Sequence, residues 1–178
     1  MKTKKDVKLY NMLFPMYLLW LIPITWIIVL PANFIIDSAV VLITLSVLKL
    51  PQKSIYKKII LKVWGFGFLS DFIGSAFLFI VSQGSYTIAV SNTMFTETIR
   101  TAFNEFRLAV EYNPYSNILA LIVTVIGITI SALCIYKFNL KNTLRNVNMG
   151  YAHKKRLSLM LAIFTAPYML LIPAYLFF

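Results

Sequence analysis

The sequence predicts an all-α, polytopic integral membrane protein: a bundle of five transmembrane helices with one amphipathic helix outside the cytoplasm. Hydrophobic residues make up 60% of the 178 residues and charged residues only 13%, and the mean hydropathy is +0.78. A water-soluble domain of this size would expose apolar surface that it could not bury. The basic residues give a second observation, because they cluster in short segments between long apolar runs.

The distribution of the basic residues predicts the orientation. All 17 Lys and Arg residues except Arg100 and Arg107 fall in the segments 2–8, 49–62 and 137–156. Cytoplasmic loops retain Lys and Arg during insertion. We therefore expect a multi-pass protein of the cytoplasmic (inner) membrane, with the N-terminus inside and the C-terminus outside. The basic segments are expected to contact anionic lipid headgroups on the cytoplasmic side, and we expect no nucleic-acid partner.

The first apolar block, residues 12–50, is roughly twice as long as one crossing requires. Pro31, Ala32 and Asn33 interrupt it near the middle. This pattern predicts a tight helical hairpin with spans at 12–30 and 34–50. A signal peptide is the competing interpretation of the first half, but the run is long for one and lacks a clear cleavage site of small residues.

The third span is predicted at 63–82 and contains Asp71. At about 1.5 Å per residue, Asp71 lies roughly 13 Å beyond Lys62 and therefore near the bilayer centre. No basic residue of the chain is expected at that depth. Asp71 can form a structural hydrogen bond with a hydroxyl such as Thr124 or Ser131, lie on an ion or substrate pathway, or contact another subunit.

Asp37 is a second acidic residue within an apolar run, but the predicted hairpin gives it a different position. It follows Asn33 by four residues, which places it in the first turns of the second helix, near the outer headgroups. The helix dipole favours a negative charge there, so a structural role is the simpler interpretation. If Asp37 and Asp71 faced one interior, a cation could be drawn in from outside and held deeper.

The fourth and fifth spans are predicted at 118–138 and 157–177. Both carry a stripe of small residues, and such stripes allow close approach of helix backbones in a membrane. The stripes comprise Ala120, Thr124, Gly127 and Ser131 in the fourth span, and Ser158, Ala162 and Ala166 in the fifth.

Prolines occur inside the first and fifth spans, at Pro15, Pro23, Pro167 and Pro173. The local sequences after Pro15 and Pro167 are similar. Broken helices at corresponding positions can mark the binding site of a transporter. Chance similarity within a restricted set of residue types is the alternative.

The connection 84–117 is long enough to form structure of its own. Its segment 95–112 has the pattern of an amphipathic helix, which Asn113 and Pro114 then terminate. This helix can rest at the outer membrane surface, lid the bundle, or bind a partner polypeptide. The residues that a partner would contact form one apolar stripe: Ile99, Phe103, Phe106 and Val110.

Residues suited to catalysis or to metal and cofactor binding are sparse. His153 is the single histidine and Cys134 the single cysteine, so neither a histidine-based triad nor a multi-ligand metal centre is expected. No phosphate-binding loop is present. An intramembrane aspartyl enzyme needs two carboxyls at one depth, whereas the hairpin separates Asp37 from Asp71. The sequence therefore predicts a protein that is not an enzyme and has no cofactor.

The leading functional hypothesis is a transport component, either an oligomeric channel or carrier or a membrane subunit of a larger transporter. Five spans leave little room for an enclosed pathway, so further copies or other membrane subunits are expected partners. Asp71 is the principal pathway candidate, followed by Asp37, Thr124 and Ser131. The alternative is a non-transporting interaction protein, such as an immunity, sensor or assembly factor, that uses the outer helix or the basic loops.

Overall fold

A computed structural model describes residues 15–91 and 95–176, and all secondary structure within these ranges is helical. The all-α prediction is therefore confirmed for this part of the chain. A π-helical turn, Asn139–Thr143, extends the fifth helix. The six α-helices of the described residues are α1 (Leu18–Leu21), α2 (Trp26–Val47), α3 (Gln52–Val90), α4 (Glu97–Tyr112), α5 (Ile118–Phe138) and α6 (Tyr151–Phe164).

Three helical segments of the described chain are long and apolar enough to cross a membrane: Pro23–Val47, Gln52–Val90 and Ile118–Thr143. Association with a membrane follows from these segments. Helix α3 has 39 residues, which gives it a length of roughly 58 Å, nearly twice the thickness of a hydrocarbon core. Its C-terminal part therefore extends beyond one membrane crossing, where other helices can pack against it.

The predicted turn at residues 31–33 is wrong, because α2 continues through Pro31 as a single helix. Membrane helices tolerate proline where neighbouring groups contact the surrounding backbone. Here Trp64 of α3 donates its indole N–H to the Leu30 carbonyl at 2.8 Å, and its ring packs edge-on against Phe34. Contacts with α3 therefore support α2 on both sides of the proline.

The chain turns back after α2 at Lys49 instead. Lys49 has a positive φ of 55°, and the Leu50 N–H donates to the Leu45 carbonyl at 3.0 Å. This is the hydrogen bond of a Schellman ending, and Pro51 then prevents the helix from continuing. As a result α2 and α3 are antiparallel neighbours along most of α2.

The predicted spans 12–30 and 157–177 are not continuous helices. Residues 15–25 form only the short α1 and a 3-10 turn at Pro23. Helix α6 ends at Phe164, and the 3-10 turns Tyr168–Leu171 and Ala174–Leu176 follow it. Prolines account for the breaks, since each removes an N–H donor and obstructs the preceding helical turn. Residues 12–14 and 177 lie outside the described residues.

Each irregular segment buries some of its side chains in the protein, although others, such as Ile24, remain exposed. Tyr17, Ala166 and Leu170 belong to one apolar cluster with Leu78 of α3 and Val110 of α4. Non-helical backbone at membrane depth is tolerated where protein covers it. Packing in this cluster therefore allows parts of residues 15–25 and of the segment after Phe164 to remain non-helical.

Small residues bring α3 close to its two neighbours. A Cβ built on Gly74 would lie 2.7 Å from the Gly127 carbonyl of α5 and would also meet Ser131, while one built on Gly67 would meet Asp37 of α2. The small-residue stripes predicted in the fourth and fifth spans are buried as well. The interhelical contacts thus follow the pattern expected of packing between membrane helices.

Candidate functional site

A cavity of about 210 Å³ lies between α2, α3 and the end of α6. Its polar side chains are Asn33 and Asp37 from α2, Asp71 from α3, and Thr165 and Tyr168 from the segment after α6. None of its lining residues is Lys, Arg or His. The lining of the cavity therefore contains two acidic side chains and no basic one.

Asp37 and Asp71 lie within about one helical turn of each other in the bundle. Asp37 is opposite Gly67, since a Cβ at position 67 would stand 3.1 Å from its Oδ2 atom. Asp71 follows Gly67 by four residues, about one helical turn on the same face. Each carboxyl residue is only 3% exposed. The predicted position of Asp37 in the first turns of a helix after residue 33 is wrong, because α2 is continuous from Trp26 to Val47, and the two residues are closer in depth than predicted.

The two carboxyls have different surroundings. Asn33 donates its side-chain N–H to Asp71 Oδ2 at 3.4 Å. The Thr165 hydroxyl, which also lines the cavity, donates to the Leu161 carbonyl at 2.9 Å. Among the described residues, however, Asp37 Oδ2 has no hydrogen-bond partner. A buried acceptor without a donor is unfavourable unless a ligand or water reaches it.

The end of α6 adds main-chain oxygen atoms beside the cavity. The last four carbonyls of a helix lack intrahelical donors, and that end carries a partial negative charge. Thr165 satisfies the Leu161 carbonyl with its N–H, at 2.9 Å. The Tyr168 hydroxyl satisfies the Ile163 carbonyl at 2.6 Å. The break at Pro167 thus places a negative helix end against a cavity that is already acidic.

Thr124 and Ser131 do not line this cavity. The Thr124 hydroxyl donates to the Ala120 carbonyl of its own helix at 2.9 Å, and Ser131 packs against Gly74. Both residues lie in the contact between α3 and α5. The structure therefore brings together Asp37 and Asp71 of the predicted pathway residues and places the two hydroxyl residues in helix packing.

The apolar stripe of α4 is largely covered by the bundle. Val110 is 5% exposed and Phe106 packs against the same cluster, whereas Ile99 is 41% exposed. Phe103 is half-buried. This arrangement fits the interpretation of α4 as a lid on the bundle better than that of a free docking face.

A second polar cluster holds α4 to α3. Arg107 and Glu111 are one helical turn apart and form an ion pair at 2.6 Å. The Ser82 hydroxyl also donates to Glu111, at 2.5 Å, and the Arg107 guanidinium lies 5.5 Å from the Tyr86 ring centre. Glu111 is 6% exposed, so this is a buried network.

Sequence reasoning missed three cavity residues: Asn33, Gly67 and Thr165. Asn33 was assigned to the turn at residues 31–33. The one signal for Thr165 is its position two residues before Pro167, where a broken helix was expected. These residues become recognisable only once α2, α3 and the end of α6 are placed together.

Within the described ranges no group of three or more His, Cys, Asp and Glu residues is placed to hold a metal ion. No family model, curated protein or solved structure matches the chain. The function must accordingly be inferred from the cavity and its surroundings.

Proposed function

We propose that the protein is a small transport component of the cytoplasmic membrane, with an ion or substrate pathway that passes the Asp37–Asp71 cavity. The observation that carries this proposal is the pair of buried carboxyl residues, each 3% exposed, facing one cavity between apolar helices. Acidic residues in membrane segments are costly, and they commonly mark a pathway.

The interruption of α6 supports the same proposal. Discontinuous helices in transporters expose helix ends and unwound backbone to the transported ion or substrate near the middle of the membrane. Here the interruption begins at Thr165, directly after α6, and Thr165, Ala166 and Pro167 all line the cavity.

Further copies or other membrane subunits complete the pathway in this proposal. The described part of the chain supplies three helices of spanning length, which cannot enclose a continuous channel. The alternative function, an immunity, sensor or assembly factor that binds a partner through α4, draws less support because Phe106 and Val110 already pack into the bundle. The mass of the complex in mild detergent measures the number and kind of subunits.

We also propose an orientation. The basic segment 49–62, at the start of α3, and the basic segment 137–156, from the end of α5, lie in the cytoplasm. Helix α4 lies on the outer side, together with the C-terminal turn Ala174–Leu176, which contacts it. Tyr17 contacts Glu111 at the end of α4, so residue 17 belongs on the outer side as well. The prediction of an internal N-terminus concerns residues 1–14, which lie outside the described residues.

Labelling of introduced thiols tests this orientation. In a Cys134→Ala background, we expect Lys53→Cys and Lys141→Cys to react with an impermeant reagent only from the cytoplasmic face, and Glu97→Cys only from the other face. The reason is that cytoplasmic loops retain basic residues. Sealed inverted and right-side-out vesicles give the two measurements. Labelling of positions 53 and 141 from opposite faces of the membrane would contradict the orientation.

Flux through the purified protein in liposomes tests transport. We expect cation flux above that of protein-free vesicles, and a fall close to that background in Asp37→Asn and in Asp71→Asn, because each removes one carboxylate from the cavity. Both variants keep the side-chain volume. Glu97→Gln is the control, since it removes one negative charge from an exposed site on α4. Unchanged flux in both cavity variants rejects the pathway.

A further inference from the structure

We propose that a groove between α5 and α6 binds one anionic glycerophospholipid, whose phosphate contacts Lys155 and Arg156 and whose acyl chain lies along the apolar part of the groove. The groove shares only Tyr168 with the Asp37–Asp71 cavity, so this site does not depend on transport. Three features carry the proposal: the apolar lining, two cations at one end, and the length of the groove.

The α5–α6 groove is apolar and open along one side. It has a volume of about 530 Å³. Leu133 of α5 and Leu159 and Ile163 of α6 line it, and each of these side chains is about half exposed. Lipid chains are as apolar as leucine side chains and can cover them within a membrane. A hydrocarbon chain therefore suits this part of the groove.

Two cations line the same groove near the start of α6. They are Lys155 and Arg156, and Tyr136 lines the groove beside them, near the end of α5. None of the described residues that line the groove is Asp or Glu. Within the described ranges the ion pair is Arg107–Glu111, so neither cation is paired there. Basic pockets between membrane helices bind anionic lipid headgroups, and the charges here favour one.

The side chains at this end suit a phosphate group. The planar guanidinium of Arg156 can donate to two phosphate oxygens at once. The Lys155 Nζ atom lies 4.8 Å from the centre of the Tyr151 ring. Because the ring has no net charge, this ammonium keeps its positive charge for an anion. The Tyr136 hydroxyl is a further donor.

The length of the groove matches one leaflet of a bilayer. Along α6 the lining runs from Lys155 to Ile163, which spans roughly 12 Å of helix. Half of a hydrocarbon core is about 15 Å thick. An acyl chain that follows the groove therefore stays within one leaflet, while its phosphate remains at the level of the two cations.

A neighbouring groove between α2 and α6 is the weaker candidate. It is also apolar, but Arg156 is the one cation among the described residues that line it. Lys155 lines only the α5–α6 groove. The pair of cations therefore assigns the lipid to the α5–α6 groove, and the contribution of Lys155 distinguishes the two positions.

Native mass spectrometry of the full-length protein in mild detergent tests the proposal, with phosphatidylglycerol as the probe and phosphatidylcholine for comparison. We expect one saturable phosphatidylglycerol per chain. Each Lys or Arg near a membrane surface favours an anionic lipid by a factor of about five, so two cations should give a preference of roughly 25-fold. Equal affinity for the two lipids would overturn the site.

Charge variants test the headgroup position. Lys155→Gln and Arg156→Gln should each weaken binding of phosphatidylglycerol by about fivefold or more. Arg145→Gln is the matched control, because it removes the same charge from an exposed residue of the same basic segment that does not line the groove. Equal losses for Arg145→Gln and Arg156→Gln would indicate nonspecific attraction and overturn the site. Wild-type affinity in Lys155→Gln would overturn its assignment to this groove.

A substitution that fills the groove tests the position of the acyl chain. Thr129 is exposed and lines the groove away from the cations, so Thr129→Trp keeps both charges and should weaken binding. Ile126→Trp is the control, since Ile126 is an exposed residue of α5 outside the lining. Wild-type affinity in Thr129→Trp would overturn the proposal. A dimer without bound lipid, lost in Thr129→Trp, would instead assign the groove to a second copy of the chain.

Discussion

Glu111→Ala is expected to destabilise the protein by about 3 kcal/mol, the lower end of the range for removing one partner of a buried ion pair. The lower end applies because the Arg107 side chain is still 19% exposed, whereas that of Glu111 is only 6% exposed. The substitution also removes the acceptor of the Ser82 hydroxyl. Since Ser82 belongs to α3 and Glu111 to α4, the contact between these helices should loosen first.

Thermal unfolding in detergent measures this loss. Glu105→Ala is the matched control, because Glu105 is an exposed acid on the same helix. Surface substitutions of that kind usually change stability by less than about 0.5 kcal/mol. Glu111→Gln should fall between the two, as its amide oxygen can still accept from Ser82. Equal changes in the unfolding temperature for Glu105→Ala and Glu111→Ala would show that the buried network does not hold α4 in place.

The membrane class and most helices could be predicted from sequence because they depend on local composition. Long apolar runs identify α3 and α5, and Asn113 with Pro114 terminates α4 near the predicted residue. Whether a proline interrupts a helix depends less on the neighbouring sequence. Pro31 stays inside α2 because Trp64 supports that segment, whereas Pro167 follows the end of α6. Contacts between distant residues decide which of these prolines interrupts its helix.

The wrongly predicted turn at residues 31–33 also separated the residues of the candidate site. Asp71 was recognised from its depth in one apolar run, which needs no knowledge of its neighbours. Asp37 belongs beside it only if α2 is continuous, so the assumed turn at 31–33 separated the pair. Thr165 lies far along the chain from both and joins them through the packing of α6 against α2. Single acidic residues are visible in a sequence, but the cavity that they share is a tertiary property.

Gly74→Ala is expected to destabilise the contact between α3 and α5 by about 1–3 kcal/mol, the usual cost of overpacking. The added Cβ would lie 2.7 Å from the Gly127 carbonyl, and a helix backbone cannot swing aside as a side chain can. It would also meet the Ser131 side chain. The two helices would have to separate along their small-residue stripe, which also moves Asp71, one turn earlier on α3.

Gly65 provides a control on the same helix, because a Cβ there meets nothing within 4 Å. Alanine is favoured over glycine inside a helix by about 1 kcal/mol, so Gly65→Ala should raise the unfolding temperature in detergent while Gly74→Ala lowers it. Adding Ser131→Gly to Gly74→Ala should restore only part of the loss, since the Gly127 carbonyl remains in the way. Full restoration of the unfolding temperature would show that Ser131 alone causes the clash. It would therefore contradict close backbone contact between α3 and α5.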